Sequence, residues 1–206
     1  ACEIAPMMQV GDNYYGPLTK EKIDQILDKA GMREWENERM SESETPILSK
    51  RFNMKESQRL ETYLASGGYK QAEKALKIMK PEAIVEEVKI SNLRGLGGAG
   101  FPAGMKWSFL PKDKSKPVYL AVNADEGEPG TFKDRYIMER DPHLLLEGIL
   151  ITCYAIQSHK AYVYIRGEYV KSARMLQQAI NEACAKGYLG KNIFGTGFDL
   201  DVVVHM

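Results

Sequence analysis

Two stretches of the chain carry residue types that can do chemistry. The first is Gly95-Leu96-Gly97-Gly98-Ala99-Gly100, where five glycines fall between positions 95 and 104. Closely spaced glycines expose backbone N–H groups and let a phosphate or a flat ring approach the main chain. Lys106 lies just beyond, flanked by Phe101, Trp107 and Phe109. A lysine there can neutralise phosphate, and aromatic rings there can stack on a base or a nicotinamide. Singly, these residues also suit a flexible loop, core aromatics and a solvated lysine. Together they describe a nucleotide site. The second stretch is Asn123-Ala124-Asp125-Glu126-Gly127-Glu128-Pro129-Gly130. An asparagine and three carboxylates can accept from ribose or ribityl hydroxyls and from a ring N–H. Oxygen ligands of this kind also suit Mg²⁺ or Ca²⁺, although no histidine stands nearby and the spacing is not that of an EF-hand. A solvated acidic turn is the third use of such a run, and the buried strand expected just before it weakens that use.

The glycine stretch satisfies GxGxxG, but a dinucleotide fingerprint needs a strand before it, a helix after it and an acid about 20 residues on. Here a charged helical pattern (EEVKISN) precedes, Pro102 stands where it would stop a helix, and an apolar run occupies the place of the acid. The fingerprint is therefore rejected while its physics is kept. His143, His159 and His205 are scattered and receive no role. Cys153 and Cys184 read as structural thiols. Arg166-Gly167-Glu168 either borders the same cleft or caps a helix.

These loops need elements to position them. An apolar run at 118–122, between Pro117 and Asn123, reads as a buried strand. Asp141 caps and Pro142 begins a helix reaching residue 156. Residues 161–165 form a second buried strand. An amphipathic helix follows over 168–186, with Ala173, Leu176, Ile180 and Ala183 inward and Gly187 as its stop. Residues 200–204 make a third strand. Strand, helix, strand, helix, strand implies a parallel sheet with right-handed crossovers. Such sheets bind ligands beyond the carboxyl ends of their strands, where the acidic loop falls. Three helical patterns come earlier. Leu60, Tyr63 and Leu64 share a face that ends at Ser66-Gly67-Gly68. Ala72, Ala75, Leu76 and Met79 stripe the second, and Pro81 opens the third, with Ile84, Val85 and Val88 inward. Nearer the start, Gly11-Asp12-Asn13 signals a turn, and Thr19 caps a short helix closed by Gly31. Residues 32–44 are polar and charged, as in a linker, and Met40 inside them could be a natural start.

Composition narrows the classes further. With 206 residues, 44% hydrophobic and 27% charged, the chain can fill a core, which excludes disorder, collagen and a membrane-embedded chain. Twenty-eight basic residues balance 28 acidic ones, so no global charge draws it to nucleic acid or an anionic membrane. No apolar run approaches the roughly 18–20 residues of a spanning helix. Three distant cysteines without a CxxC pair suit a reducing cytosol. The chain opens on Ala1-Cys2-Glu3 without an initiator Met or a signal peptide, as a piece of something longer would.

NLRGLGGAGFPAGMKWSF, NADEGEPGTFKDRYIMERDPHLLLEG and YVYIRGEY are specific strings. They closely resemble the flavoprotein subunit of NADH:quinone oxidoreductase (respiratory complex I). The same module recurs in diaphorase subunits of NAD-linked hydrogenases and formate dehydrogenases. The resemblance spans roughly 45–206. It implies a Rossmann-like three-layer α/β domain with a parallel sheet, preceded by N-terminal helices. It also implies hydride transfer from NADH to FMN, with electrons passed singly to iron–sulfur clusters and on to quinone. By the resemblance, Gly95, Gly97, Gly98 and Gly100 belong to a loop shared by FMN and NADH. Lys106 contacts the phosphate side of FMN. Asn123, Asp125, Glu126 and Glu128 hold the ribityl chain and ring edge. Glu128 also faces the nicotinamide, at the reacting centre. Phe101 and Phe109 flank the adenine of NADH.

Some positions depart from the family pattern. Leu96 replaces a customary arginine, which touches one flavin-directed contact, and Gly127 stands where some members carry serine. The resemblance also implies that a second glycine-rich FMN segment, an inserted domain and the [4Fe–4S] cysteines lie beyond this chain. Weak or no FMN binding is therefore expected of residues 45–206 alone. Residues 1–31 resemble the end of the thioredoxin-like [2Fe–2S] partner subunit, with Cys2 as a vestigial last cluster ligand, since one thiolate cannot hold a cluster. The implied division is 1–31, a linker at 32–50, a helical segment at 51–92 and an incomplete FMN/NADH domain at 93–206. The implied setting is a cytoplasmic arm peripheral to the inner membrane face, with the [2Fe–2S] subunit and other arm subunits as partners. Neither nucleic acid nor direct membrane insertion is expected. A hydrogenase or formate dehydrogenase diaphorase is the alternative parent, and a non-catalytic piece that only docks a [2Fe–2S] partner is the alternative of another class.

Overall fold

A computed structural model describes residues 8–10, 13–15, 25, 46–95, 99–111 and 115–206. The chain divides into two units, 1–47 and 48–206. In the first, β1 (Met8–Val10) and β2 (Asn13–Tyr15) pair antiparallel, with Met8 opposite Tyr15. Sequence patterning missed both strands, because three-residue strands show no readable alternation. Of the helix expected between Thr19 and Gly31, only Gln25 lies among the described residues, and it is helical. Gly11, Asp12, Cys2 and Met40 lie outside them.

In the second unit, periodicity and punctuation set the helices. Helix α1 (Leu60–Ala65) buries Leu60 and Tyr63 and ends at Gly67, whose φ is +88°. Helix α2 (Lys70–Ile78) buries Ala72, Ala75 and Leu76, and α3 (Pro81–Ile90) buries Ile84. Helix α4 spans Ala103–Ser108, and the first sheet strand, β3, spans Leu120–Ala124. Then follow α5 (Lys133–Arg140), α6 (Pro142–Ile156), β4 (Lys160–Ile165), α7 (Val170–Ala185), β5 (Gly190–Ile193) and β6 (Phe198–His205). The four inward residues expected on α7 are all buried, and Gly187 closes it at φ +75°.

The sheet runs β3-β4-β6-β5, parallel through β3, β4 and β6. The sheet is mixed rather than wholly parallel, because β5 joins antiparallel through a hairpin at Gly195 and Gly197, both at positive φ. Both crossovers step the same way along the sheet. Right-handed connections then place α6 and α7 on one face. Ala161, Val163 and Ile165 are fully buried against that layer, whereas Tyr162 and Tyr164 on the other face are 38% and 50% exposed. Helices α1, α2 and α3 pack on α6, so the layers stack as sheet, helices and further helices. The strand expected at 118–122 as fully buried instead starts at Leu120 and alternates. It is the edge of the sheet, and only Ala124 in it is buried.

A buried polar cluster ties the helices together. Asp141 precedes Pro142 as expected, but its side chain makes no capping bond; its Oδ2 accepts from Arg51 Nε at 2.7 Å. Glu147, 7% exposed on α6, accepts from the Tyr63 hydroxyl, the Tyr69 N–H (2.8 Å) and the Ala72 N–H (3.0 Å). His143 is fully buried, with Nδ1 at 3.2 Å from the Tyr69 hydroxyl and Nε2 at 3.4 Å from Glu182 Oε2. Neutral imidazole satisfies both contacts: Nδ1 accepts and Nε2–H donates.

Burial pushes the His143 pKa below its ordinary value, outweighing the pull of Glu182. The unfolded imidazole takes up a proton near pH 6.5, before the folded one does. Stability is therefore present above pH 6.5 and is lost as pH falls from there toward the folded pKa. The unfolding free energy from urea titrations should fall between pH 7.5 and 5.5, by up to about 1.4 kcal/mol per pH unit. His143→Gln should flatten that slope, and an unchanged slope would exclude His143 as its source.

Candidate functional site

The carboxylate loop begins where the β3–β4 ladder ends, at the Ala124–Ile165 rung. Asn123 Oδ1 accepts from the Asp125 N–H at 2.9 Å, an Asx turn that starts the exit from the sheet. Glu126 then points inward and is only 3% exposed. Its Oε1 accepts from the Asp134 N–H at 3.0 Å, and its Oε2 from the Arg135 N–H at 3.3 Å and the Tyr169 hydroxyl at 3.4 Å. A helix start has unpaired N–H groups and favours negative charge. Glu126 thus caps α5 with the carboxylate that the resemblance assigns to ribityl chain and ring edge. Asp125 and Glu128 on either side are exposed, with their oxygens free for a ligand. The Glu128 carbonyl closes the turn by accepting from the Thr131 N–H at 3.2 Å. Lys133 pairs with Asp134 at 2.8 Å rather than with the loop acids.

The glycine stretch is built on α3. Residues Arg94 and Pro102 bridge antiparallel, the Gly95 N–H donates to the Phe101 carbonyl at 3.0 Å, and the Ala103 N–H donates to Leu93 at 2.8 Å. The Arg94 guanidinium adds a bond to the Gly100 carbonyl at 3.2 Å, and Gly100 sits at φ +62°. Leu96, Gly97 and Gly98 lie outside the described residues. Pro102 does not block a helix as expected: it is the N-cap of α4, where a missing N–H costs nothing. The rejected fingerprint is still absent, because helix α3, not a strand, leads into the loop.

Beyond the bridge, Phe101 and Phe109 are 48% and 66% exposed, with ring centroids 6.1 Å apart. Lys106 is exposed beside them, while Trp107 packs partly against the core. The structure thus leaves two rings and a cation available around one short helix. Gly104 is buried where α4 meets α3, and a Cβ there would stand 2.6 Å from the Lys89 nitrogen.

Among the described residues, the hydrogen bonds of each loop close within its own supports, and none joins the two loops. Two clefts among the described residues are lined by other side chains. One, of about 330 Å³, lies among Arg135, Tyr136, Glu139, Arg140 and Lys171; the other, of about 250 Å³, lies along α2 and α3. Among the described residues, no three His, Cys, Asp or Glu side chains converge as they would on a metal ion. Cys153 is buried and its thiol is pushed up to about 12 by burial. Cys184 was expected to be structural but is exposed, because it faces outward on α7. Sequence reasoning missed Tyr169, whose hydroxyl reaches Glu126; its place at the end of YVYIRGEY was the available signal.

Donor and acceptor types fit FMN. Exposed Asn and carboxylate oxygens suit ribityl hydroxyls and ring N–H groups, and Lys106 suits a phosphate.

Comparisons with known proteins place these loops in a family. The family described as Nuo51 FMN-binding domain matches residues 88–206, more than half of the chain, and the thioredoxin-like [2Fe-2S] ferredoxin family matches residues 1–31. The NADH-quinone oxidoreductase F subunit of Rhizobium meliloti, in its form 2, is 58% identical over 160 residues, covering 78% of this chain and 38% of that protein. The F subunit of the Aquifex aeolicus enzyme is 53% identical over 164 residues, covering 80% and 38%. That of Escherichia coli is 52% identical over 147 residues, covering 71% and 33%. The chain thus spans well under half the length of these relatives. A chain in the crystal structure of an NAD⁺-reducing [NiFe]-hydrogenase in the H₂-reduced state aligns with a TM-score of 0.56 at 29% identity. That alignment covers 97% of this chain and 33% of that one. With a family match over more than half its length, on the segment that carries both loops, this chain belongs to the Nuo51 FMN-binding domain family.

Proposed function

We propose that this chain is the flavin-binding part of an NADH-oxidising module, in which NADH reduces FMN and electrons leave singly through iron–sulfur clusters toward quinone. The observation that carries the reading is the carboxylate loop. Burial of Glu126 leaves Asp125 and Glu128 outward, beyond the carboxyl ends of β3 and β4, where parallel sheets receive ligands. FMN, when bound, supplies a two-electron acceptor that can release electrons one at a time. The chain's own residues bind and orient. Asn123, Asp125 and Glu128 accept from the ribityl chain and ring edge, and Glu126 holds that loop in place. Glu128 lies against the nicotinamide. Gly95, Gly97, Gly98 and Gly100 give main-chain approach, Lys106 meets phosphate, and Phe101 and Phe109 stack on adenine.

Subunits of a peripheral arm, including a thioredoxin-like [2Fe–2S] protein, are the partners in this reading, at the cytoplasmic face of the membrane. The match of residues 1–31 to the thioredoxin-like ferredoxin family supports the partner. Among the described residues, no helix is long and apolar enough to cross a membrane. Residues 1–31, the linker 32–50, the helical segment 51–92 and the FMN/NADH part 93–206 remain the proposed division. A hydrogenase-type parent is the second reading. The hydrogenase chain that aligns with 97% of this one is compatible with it.

Fluorescence titration tests the flavin site. FMN should be quenched weakly but saturably, and Asp125→Ala with Glu128→Ala should weaken binding about 10–100-fold, two hydrogen bonds' worth. Equal affinity in the double variant would remove the loop from the site. NADH-dependent ferricyanide reduction by the complete protein, with NADPH as control, tests the activity.

A further inference from the structure

We propose that Arg166 is the positioning residue of the carboxylate loop. Its guanidinium holds Glu126 so that Asp125 and Glu128 face a ligand in one fixed arrangement. The inference rests on the flavin reading of that loop.

The β3–β4 ladder stops at Ala124 and Ile165. Asp125 and Arg166 are the first residues past it, where main-chain rungs no longer join the two strands. Arg166 supplies the next link with its side chain: Nη1 donates to the Glu126 main-chain carbonyl at 3.0 Å. The same guanidinium is aimed by Glu168, which accepts from Nε at 3.0 Å and from Nη2 at 3.4 Å. A rigid fork with five donors can hold a carboxylate along one edge and a carbonyl with another N–H. A lysine ammonium, a point charge on a flexible stem, cannot fix both directions.

Glu126 is therefore gripped from two sides. Its carbonyl is held by the end of β4, and its carboxylate by the α5 N–H groups and the Tyr169 hydroxyl. Beyond Glu126 the loop meets little else: a Cβ at Gly127 or Gly130 would find nothing within 4 Å. The Arg166 side chain is 36% exposed and Glu168 is 70% exposed, so this pair adds little to global stability. A positioning role and a folding role can thus be separated.

Hydrogen exchange of the Asp125, Asp134 and Arg135 amides, which this loop and the Glu126 carboxylate protect, measured on the 206-residue chain alongside FMN fluorescence titration, tests the proposal. Arg166→Gln should speed exchange at those amides and weaken FMN by about tenfold each, the scale of one charge-assisted hydrogen bond. Exchange elsewhere and the melting midpoint should stay near wild type. Arg166→Lys should restore FMN affinity only in part, and it decides the matter if Arg166→Gln does not fold. Wild-type exchange and affinity in both variants would overturn the proposal. So would exchange that rises throughout residues 48–206, which would make Arg166 a folding residue. Absence of FMN from the complete protein would instead sink the flavin reading, while exchange at those amides still decides whether Arg166 clamps the loop.

Discussion

Glu147→Ala is expected to remove about 3–5 kcal/mol of stability, at about 1–3 kcal/mol for each of the three buried donors left unpaired. Its carboxylate serves three buried donors: the Tyr63 hydroxyl and the N–H groups of Tyr69 and Ala72. Both N–H groups belong to the start of α2, whose own N-cap residue, Tyr69, offers no side-chain bond. Alanine leaves all three donors dry and unpaired, each with its own desolvation cost. Tyr63 and Tyr69 are both 1% exposed, so water reaches neither without opening the helical layer. A folded domain has only about 5–15 kcal/mol to lose. Urea unfolding followed by circular dichroism should show the midpoint collapse. Glu147→Gln should be milder, since the amide oxygen still accepts. A change under about 1 kcal/mol in the alanine variant would mean that water reaches these donors.

Gly104→Ala is expected to strike the site rather than the core. The added Cβ would lie 2.6 Å from the Lys89 nitrogen and 2.9 Å from its Cα, so backbone must move. Overpacking of this kind costs about 1–3 kcal/mol. The strain falls on the α3–α4 contact, and α4 carries Lys106 with Phe101 and Phe109 at its ends. An ångström-scale displacement at a binding site can cost about 100-fold in rate. NADH-dependent ferricyanide reduction by the complete protein should therefore fall by one to two orders of magnitude, while far-UV dichroism stays near wild type. Full activity in the alanine variant would show that α4 does not touch the nicotinamide nucleotide.

Much of the architecture was legible because it rests on local rules. Pro142 and Gly187 bound α6 and α7, and Ala173, Leu176, Ile180 and Ala183 face inward as their spacing requires. The parallel strands β4 and β6 follow from apolar runs, one between those helices and one after α7. The hairpin strand β5 was not legible, because Gly190–Ile193 has no alternation and forms only by pairing with β6. Burial of β3 was misjudged for a related reason. An apolar run looks the same in the centre of a sheet and at its edge, and strand order is set by long-range pairing.

The site divides the same way. Residue types alone marked the glycine stretch and the acids at 125–128, because phosphate, ring and hydroxyl chemistry each demand particular side chains. Three neighbouring acids look equivalent in sequence, and only tertiary structure separates them. Glu126 turns inward because the start of α5 and Tyr169 wait there, eight and 43 residues downstream. Asp125 and Glu128 face outward as a consequence. Sequence by itself determined which chemistry this chain carries and which local elements bear it. Tertiary structure alone decided which carboxylate holds the loop and which ones face outward, since a side chain's role depends on partners that only folding brings near.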